Sequence, residues 1–226
     1  MTPDFSLPIP IFPLPGVVLF PRTVLPLHIF EPRYREMTKD ALEGDRLIAM
    51  ALLKPGWEGQ YQGAPPLFGI VGVGSILQDE RLGDGRYNLM LQGICRARIG
   101  GEIPGRAYRR AILSPIPEPE PPPAERITRL RLALLAVYSS LLKAVGKRES
   151  FRIEPDLPLG ALCDLLAAFL EAEAVDKQSV LEEIDIERRA GRTIELLRRS
   201  SVAATPVKSA LKVVEEGIWP PPGSLN

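Results

Sequence analysis

The sequence predicts an α+β chain: a small, partly closed β-barrel with one early helix, followed by a helical bundle. Two observations carry this. Short β-type runs punctuated by glycine and proline fill the first half, and apolar residues recur at three- and four-residue spacing after about residue 124. Between the halves stands a proline cluster, Pro115, Pro117, Pro119, Pro121, Pro122 and Pro123. Proline lacks an amide proton and fixes φ, so this run reads as a stiff, extended connector. The expected organisation is a β-rich part over 1–117, a connector over 118–123, a bundle over 124–216 and a proline-rich tail over 217–226.

The β-rich half reads as follows. Residues 17–20 and 25–29 are short β-type runs, and Pro21 and Pro26 place them at edges or bulges. Pro32 suits the first turn of a helix, Tyr34, Met37, Ala41 and Leu42 give it an apolar face, and Gly44 reads as its C′ residue. Residues 46–53 form a continuous apolar strand, buried on both faces. Residues 68–77 carry Gly69, Gly72 and Gly74 among β-branched residues, which predicts a bent strand. Gly83-Asp84-Gly85 signals a hairpin turn. Beyond it, residues 87–91 alternate, with Tyr87, Leu89 and Leu91 on one face. Residues 94–99 set Cys95, Ala97 and Ile99 against Arg96 and Arg98, and 108–113 supply a last strand.

In the second half, Ile127, Leu130, Leu134, Tyr138, Leu141 and Val145 form the stripe of a first helix. Leu162, Leu165, Leu166, Phe169 and Leu170 mark a second. Val180, Leu181 and Ile184 mark a third, Ile186, Ala190, Ile194 and Leu197 a fourth, and Val207, Leu211 and Val214 a fifth. Short connections imply a bundle.

Composition excludes several function classes. Lys plus Arg is 28 and Asp plus Glu is 28, so the formal net charge is zero, unlike a general nucleic-acid binder. One histidine, His28, rules out a histidine-rich metal site, and two cysteines in a chain of this length do not make a disulfide scaffold. Cys95 and Cys163 read as packing residues. The start, Met1-Thr2-Pro3-Asp4, lacks a cationic leader, and no apolar run is long enough for a bilayer. A cytoplasmic protein with reduced thiols is expected.

Motifs for nucleotide or acyl chemistry are missing. Gly146-Lys147 is followed by Arg148, with Leu141 where a phosphate-binding loop needs its first glycine. Gly72-Val73-Gly74 is followed by Leu77, not by the third glycine of a dinucleotide fingerprint. G-x-S-x-G is absent. Glu171, Glu173, Glu182, Glu183 and Asp185 read as solvated faces or caps. Arg188, Arg189, Arg192, Arg198 and Arg199 make a basic stripe, but Glu187 and Glu195 are interleaved, with Glu195 placed to pair with Arg199. No catalytic residue, metal ligand or cofactor is expected.

The N-terminal run is the most informative. It reads Ile11-Phe12-Pro13-Leu14-Pro15-Gly16-Val17-Val18-Leu19-Phe20-Pro21, then Val24-Leu25-Pro26-Leu27-His28-Ile29-Phe30-Glu31-Pro32-Arg33-Tyr34. The pattern P-L-x-x-V-x-x-F-P followed by P-L-x-I-F-E-P-R-Y resembles the start of the Lon protease N-terminal domain family. Asp84-Gly85-Arg86-Tyr87-Asn88-Leu89 and Gln92-Gly93-Ile94-Cys95-Arg96-Ala97-Arg98-Ile99 are similar to a later segment of that family, and residues 157–192 to its helical part. The likeness spans nearly the whole chain. It implies a PUA-like pseudo-barrel followed by a helical bundle. The ATPase and Ser-Lys protease motifs of full Lon proteases are absent, so the resemblance implies a stand-alone domain protein with no ATPase or peptidase activity of its own.

The expected function is then a non-catalytic module for unfolded or partly folded polypeptide. The alternatives are an adaptor docking on a separate ATP-dependent protease and, with zero net charge against it, an RNA-binding PUA-like protein. A membrane partner is not expected, and self-association stays open. Glu31, Arg33 and Arg35, at the start of the early helix, are the candidate polypeptide contacts. Glu31 is also placed to meet the helix's first amides. His28 alternates with Leu27 and Ile29 and reads as a surface or hydrogen-bonded histidine.

Overall fold

Strand pairing around one early helix builds the first part of the chain, and helices alone build the second. The computed structural model describes residues 4–60, 63–144 and 153–202. The chain divides into a unit ending at Pro117 and a unit beginning at Glu118. The first contains β1 (Ile9–Leu14), β2 (Val24–Ile29), α1 (Pro32–Glu43), β3 (Leu47–Leu52), β4 (Ile70–Arg81), β5 (Tyr87–Glu102) and β6 (Arg109–Ile116). The second contains α2 (Ala124–Ala144), α3 (Leu159–Phe169), α4 (Ala174–Glu182) and α5 (Ile186–Val202). The α+β class is as the sequence predicts. The fifth helix expected around Val207, the stripe position Val145 and the tail 217–226 lie outside the described residues.

The strand order is β2-β5-β4-β3-β1-β6, and β5 also pairs with β6. That extra pairing closes five strands into a barrel and leaves β2 on its outside, where Pro26 is tolerated. One strand makes this possible. β5 is 16 residues long and reads as two strands in the sequence, residues 87–91 and 94–99. Along one edge it pairs with β4; along the other it pairs first with β2, from Tyr87 to Gln92, and then with β6, from Arg96 to Glu102. Ile94 is skipped in the β4–β5 register, and so is Leu77, which leaves Leu77 half-exposed at a bulge.

β1 is absent from the sequence-based expectation because Pro8, Pro10 and Pro13 argue against a strand. The strand changes partner along its length. Pro10 lies where β6 is the registered neighbour, Pro13 where β3 is, so each missing N–H falls in a stretch paired on one side. β1 and β3 run parallel, with β2 and α1 in the crossover between them.

Two apolar clusters flank the barrel wall. Ile9, Ile11, Leu47, Ala49, Ala51, Val71, Val73, Ala97, Ala111 and Leu113 come from all five closed strands and fill the interior, many of them small, as a narrow barrel requires. Phe12, Leu27, Ile29, Met37, Ile48, Met50, Leu89 and Leu91 pack outside it, with α1. β3 is buried at every position, as expected, with alternate residues serving the two clusters.

Residues 17–20, expected as a strand, have no strand pairing. They cross the sheet as a strap, with Leu19 and Phe20 fully buried. The glycines of β4 and β5 are the reason. A Cβ on Gly72 would collide with the carbonyl oxygen of Leu19, and one on Gly93 with that of Phe20. The strap ends at Arg22, which takes φ 65° and donates its N–H to Gly93 at 2.7 Å. The end of α1 also departs from expectation. Gly44 has φ −107°, outside the left-handed region; Arg46 takes the positive φ of 60°. Its N–H bonds Ala41 at 2.9 Å, and its guanidinium bonds the Ile76 carbonyl and Asp79, which holds that conformation.

In the helical unit, Leu134, Tyr138 and Leu141 of α2, Leu162, Cys163 and Leu166 of α3, and Val180 and Leu181 of α4 are buried. α5 packs against α2 and α3. Its inner face holds Ala190, Thr193, Leu196, Leu197 and Ser200, and Ile194 is half-buried instead of central. Thr193 and Ser200 donate to the carbonyls four residues back, so neither hydroxyl is stranded in the core. Ile184 falls past the end of α4.

Candidate functional site

The first unit has a cavity of about 660 Å³ where β1 and β2 end, within the range of small-ligand sites. The sequence places it there through two turns. β1 stops at Pro15-Gly16, and β2 stops at Ile29, two residues before Glu31, because Pro32 starts α1. The buried side chains of Phe12, Leu14, Ile29 and Tyr34 form the floor, with the Phe12 and Tyr34 rings 4.5 Å apart and tilted at 49°. Pro15, Val17, Phe30 and Trp57 form the walls. Phe30 is 47% exposed and stacks on His28 at 6.3 Å. Glu31 and Glu58 are the acidic lining residues.

His28 is held by a directional chain. Asn88 donates its amide N–H to Glu80 at 2.8 Å, which a carboxylate acceptor requires. Its carbonyl oxygen therefore faces His28 Nδ1, 2.8 Å away, and Nδ1 carries the proton. The lone pair on Nε2 then faces Arg86 Nη1 at 3.2 Å. Arg86 is anchored by Asp84, whose carboxyl its guanidinium and N–H pull down to about 2. His28 is thus the hydrogen-bonded histidine that its alternation suggests, with both ring nitrogens engaged.

The three sequence-derived contact residues separate. Glu31 lines the cavity. Its side chain makes no cap bond to the helix amides, contrary to the expectation; it pairs with Arg33, 3.1 Å from Nε and 3.0 Å from Nη2. Its backbone carbonyl does the capping, accepting from Tyr34 and Arg35. The Arg33 guanidinium sits over the Tyr34 ring at 4.6 Å and lines a second, smaller cavity of about 70 Å³ with Tyr108 and Arg109. Arg35 lies against Gly85 of the β4–β5 turn, where a Cβ would strike its Nη2. Sequence reasoning missed Phe12, Trp57 and Glu58. Phe12 sits in the unrecognised β1, and Trp57 and Glu58 lie at the start of a single 3-10 turn, Glu58–Gln60, too short to carry a patterned signal.

Three arginines of the α5 stripe, Arg189, Arg192 and Arg199, are held in ion pairs. Arg189 is fully buried and binds Glu118 at 2.7 Å and the carbonyls of Glu183 and Ile184. Arg192 pairs with Glu183, and Arg199 with Asp176, not with Glu195. Both cysteines are free thiols. Burial pushes Cys95 up to about 11, against a small opposing effect of Arg96, which marks a packing residue and not a nucleophile. Among the described residues no group of three or more His, Cys, Asp or Glu side chains is arranged to hold a metal, and no helix is long and apolar enough to cross a membrane.

A barrel with an outer strand followed by a helical unit is the architecture of Lon N-terminal domains. The profile of the ATP-dependent protease La (LON) substrate-binding domain matches residues 8–199, and the chain belongs to that family. It is 28% identical over 187 residues to the Lon protease of Desulfosudis oleivorans, covering 80% of this chain and 22% of that protein. Against the Lon protease of Escherichia coli K12 the identity is 28% over 193 residues, 84% of this chain and 24% of the other. The chain thus spans about a quarter of the length of these relatives. Two solved structures share the fold. One is the N-terminal domain of Mycobacterium avium complex Lon protease, with TM-score 0.64, 19% identity, 85% of this chain and 98% of that one. The other is the Lon N-terminal domain protein from Xanthomonas campestris, with TM-score 0.57, 22% identity, 84% and 98%.

Proposed function

We propose that this chain is a non-catalytic module that binds unfolded or partly folded polypeptide, with the cavity at the ends of β1 and β2 as its contact surface. The observation that supports this most is Phe30, half-exposed over a floor of buried Phe12, Leu14, Ile29 and Tyr34. An aromatic anchor beside an apolar recess is what an apolar side chain from an extended segment needs, at about 25 cal/mol for each Å² removed from water. Membership of the Lon substrate-binding domain family supports polypeptide as the ligand class.

The lining favours binding over chemistry. Among the described residues it includes no Ser, Thr, Cys or Lys, and its histidine is engaged at both nitrogens. In this reading the protein neither hydrolyses nucleotide nor cuts peptide bonds and works in the cytoplasm. Glu31 meets the polypeptide at the rim, Arg33 holds Glu31, and Arg35 fixes the start of α1 against the β4–β5 turn. The connector over 118–123 carries the bundle that begins at 124.

The test is a titration of the full chain with a labelled, reduced and carboxymethylated model protein, read by anisotropy. Saturable binding is expected, weakened at least about five-fold by Phe30→Ser, which removes an interface aromatic. No binding up to high micromolar concentration overturns the proposal. Stoichiometric recovery of one folded partner instead favours an adaptor role on a separate ATP-dependent protease.

A further inference from the structure

The charges around this cavity do not balance, and the imbalance bears on what it selects. Among the described residues, Glu31 and Glu58 are the carboxylates in the lining, and no lysine or arginine lines it. The charge of Glu31 is met by Arg33, which contacts it through both Nε and Nη2. Glu58 is exposed, and among the described residues it has neither a hydrogen bond nor an ion pair. Nearby cations are turned elsewhere: the Lys54 ammonium lies over the Phe68 ring at 5.9 Å, and Arg86 is held by Asp84 at 2.6 Å and by His28. One uncompensated negative charge therefore stands next to Trp57 on the cavity wall.

We infer that the cavity selects extended polypeptide segments in which a bulky apolar residue is flanked by lysine or arginine, with Glu58 as the specificity-determining residue. This rests on the polypeptide-binding proposal and refines it. The apolar side chain enters between Phe30 and Trp57, and the flanking cation remains in solvent beside Glu58. There it needs no desolvation, so the pair acts through Coulomb attraction alone. A segment with flanking Asp or Glu meets the same recess but is repelled at its edge, which makes the discrimination a matter of both attraction and repulsion. An anionic lipid surface is disfavoured by the same charge.

The experiment compares three short labelled peptides with one central Phe and Lys, Ser or Glu at the flanking positions. Each is titrated with the full chain and with Glu58→Gln and Glu58→Lys, at low salt and in 0.5 M salt, about a 4–5 Å screening length. The wild type is expected to bind the Lys-flanked peptide about two- to five-fold tighter than the Ser-flanked one, as an exposed pair allows, and the Glu-flanked peptide weakest. Glu58→Gln removes the order, Glu58→Lys inverts it, and high salt flattens it. An order that survives Glu58→Gln, or equal binding of all three to the wild type, overturns the inference and leaves polypeptide binding standing. Failure of every peptide to bind overturns both.

Discussion

The guanidinium of Arg189, fully buried in α5, donates to the half-exposed carboxylate of Glu118, 71 residues earlier in the chain, at 2.7 Å. The same arginine donates to the Glu183 and Ile184 carbonyls at 2.8 and 3.0 Å and lies 3.8 Å from buried Asp164. It satisfies the two carbonyls between α4 and α5 and the first residue of the helical unit together. Gly160 makes room for it, since a Cβ there would press on Glu118 and on Arg189 Nη1.

The two ends of this ion pair should therefore differ in their effect. Arg189→Ala takes a buried guanidinium away from Asp164, Glu118 and the Glu183 and Ile184 carbonyls and is expected to destabilise by about 3–5 kcal/mol. Glu118→Ala leaves the arginine its carbonyl partners and removes a group that solvent already screens, so about 1 kcal/mol is expected. Urea unfolding followed by circular dichroism measures both, and equal losses would contradict this account.

The strap over the sheet gives a second prediction. Gly72→Ala and Gly93→Ala place a methyl on the Leu19 and Phe20 carbonyls, backbone atoms that cannot swing aside. Each should destabilise by about 1–3 kcal/mol or more. Gly69→Ala, with nothing within 4 Å of the new Cβ, is the matched control and should stay within about 0.5 kcal/mol.

These glycines also show what the sequence could and could not tell. Gly72 and Gly74 announce an unusual strand, but what they accommodate, the Leu19 backbone at Gly72 and the Leu19 and Leu91 side chains at Gly74, comes from elsewhere in the chain. A β-type run such as 17–20 looks the same in sequence whether it joins a ladder or crosses one. β1 was hidden for the opposite reason: its prolines are tolerated by a change of partner that no local pattern records. The helical stripes were legible because their period is local, and α1 because Pro32 and the Tyr34–Met37–Ala41 spacing agree. At the site, Glu31 was legible through the motif around it. Glu58 was not, because a lone glutamate in a single 3-10 turn carries no periodic signal.

Tyr108 supplies a pH prediction. Burial first, then its 2.7 Å bond to Asp40 and that carboxylate's charge, raise its hydroxyl from 10.0 to about 12, opposed by Arg106 and Arg110. A raised pKa means the folded state keeps the proton that the unfolded chain loses. The stabilisation is complete below pH 10 and disappears as pH rises from 10 to 12. Tyr108 should contribute a late step to the tyrosinate absorbance, and that step should vanish in Tyr108→Phe. The variant should also lose stability less steeply than the wild type between pH 10 and 12.

The chain through Asn88 gives the last prediction. Asn88→Asp keeps an acceptor for His28 Nδ1 but sets a carboxylate against Glu80, where the amide donated at 2.8 Å. Because Asn88 is buried and Glu80 is exposed, the expected loss is about 1–2 kcal/mol, nearer the cost of an unsatisfied buried group than of a surface pair. Adding Glu80→Gln returns a donor to Asp at position 88, so the double variant should recover part of that loss. The coupling in the double-mutant cycle should be about 1 kcal/mol. Strict additivity would mean that the amide does not link Glu80 to His28, and the proton assigned to Nδ1 would then have to move to Nε2.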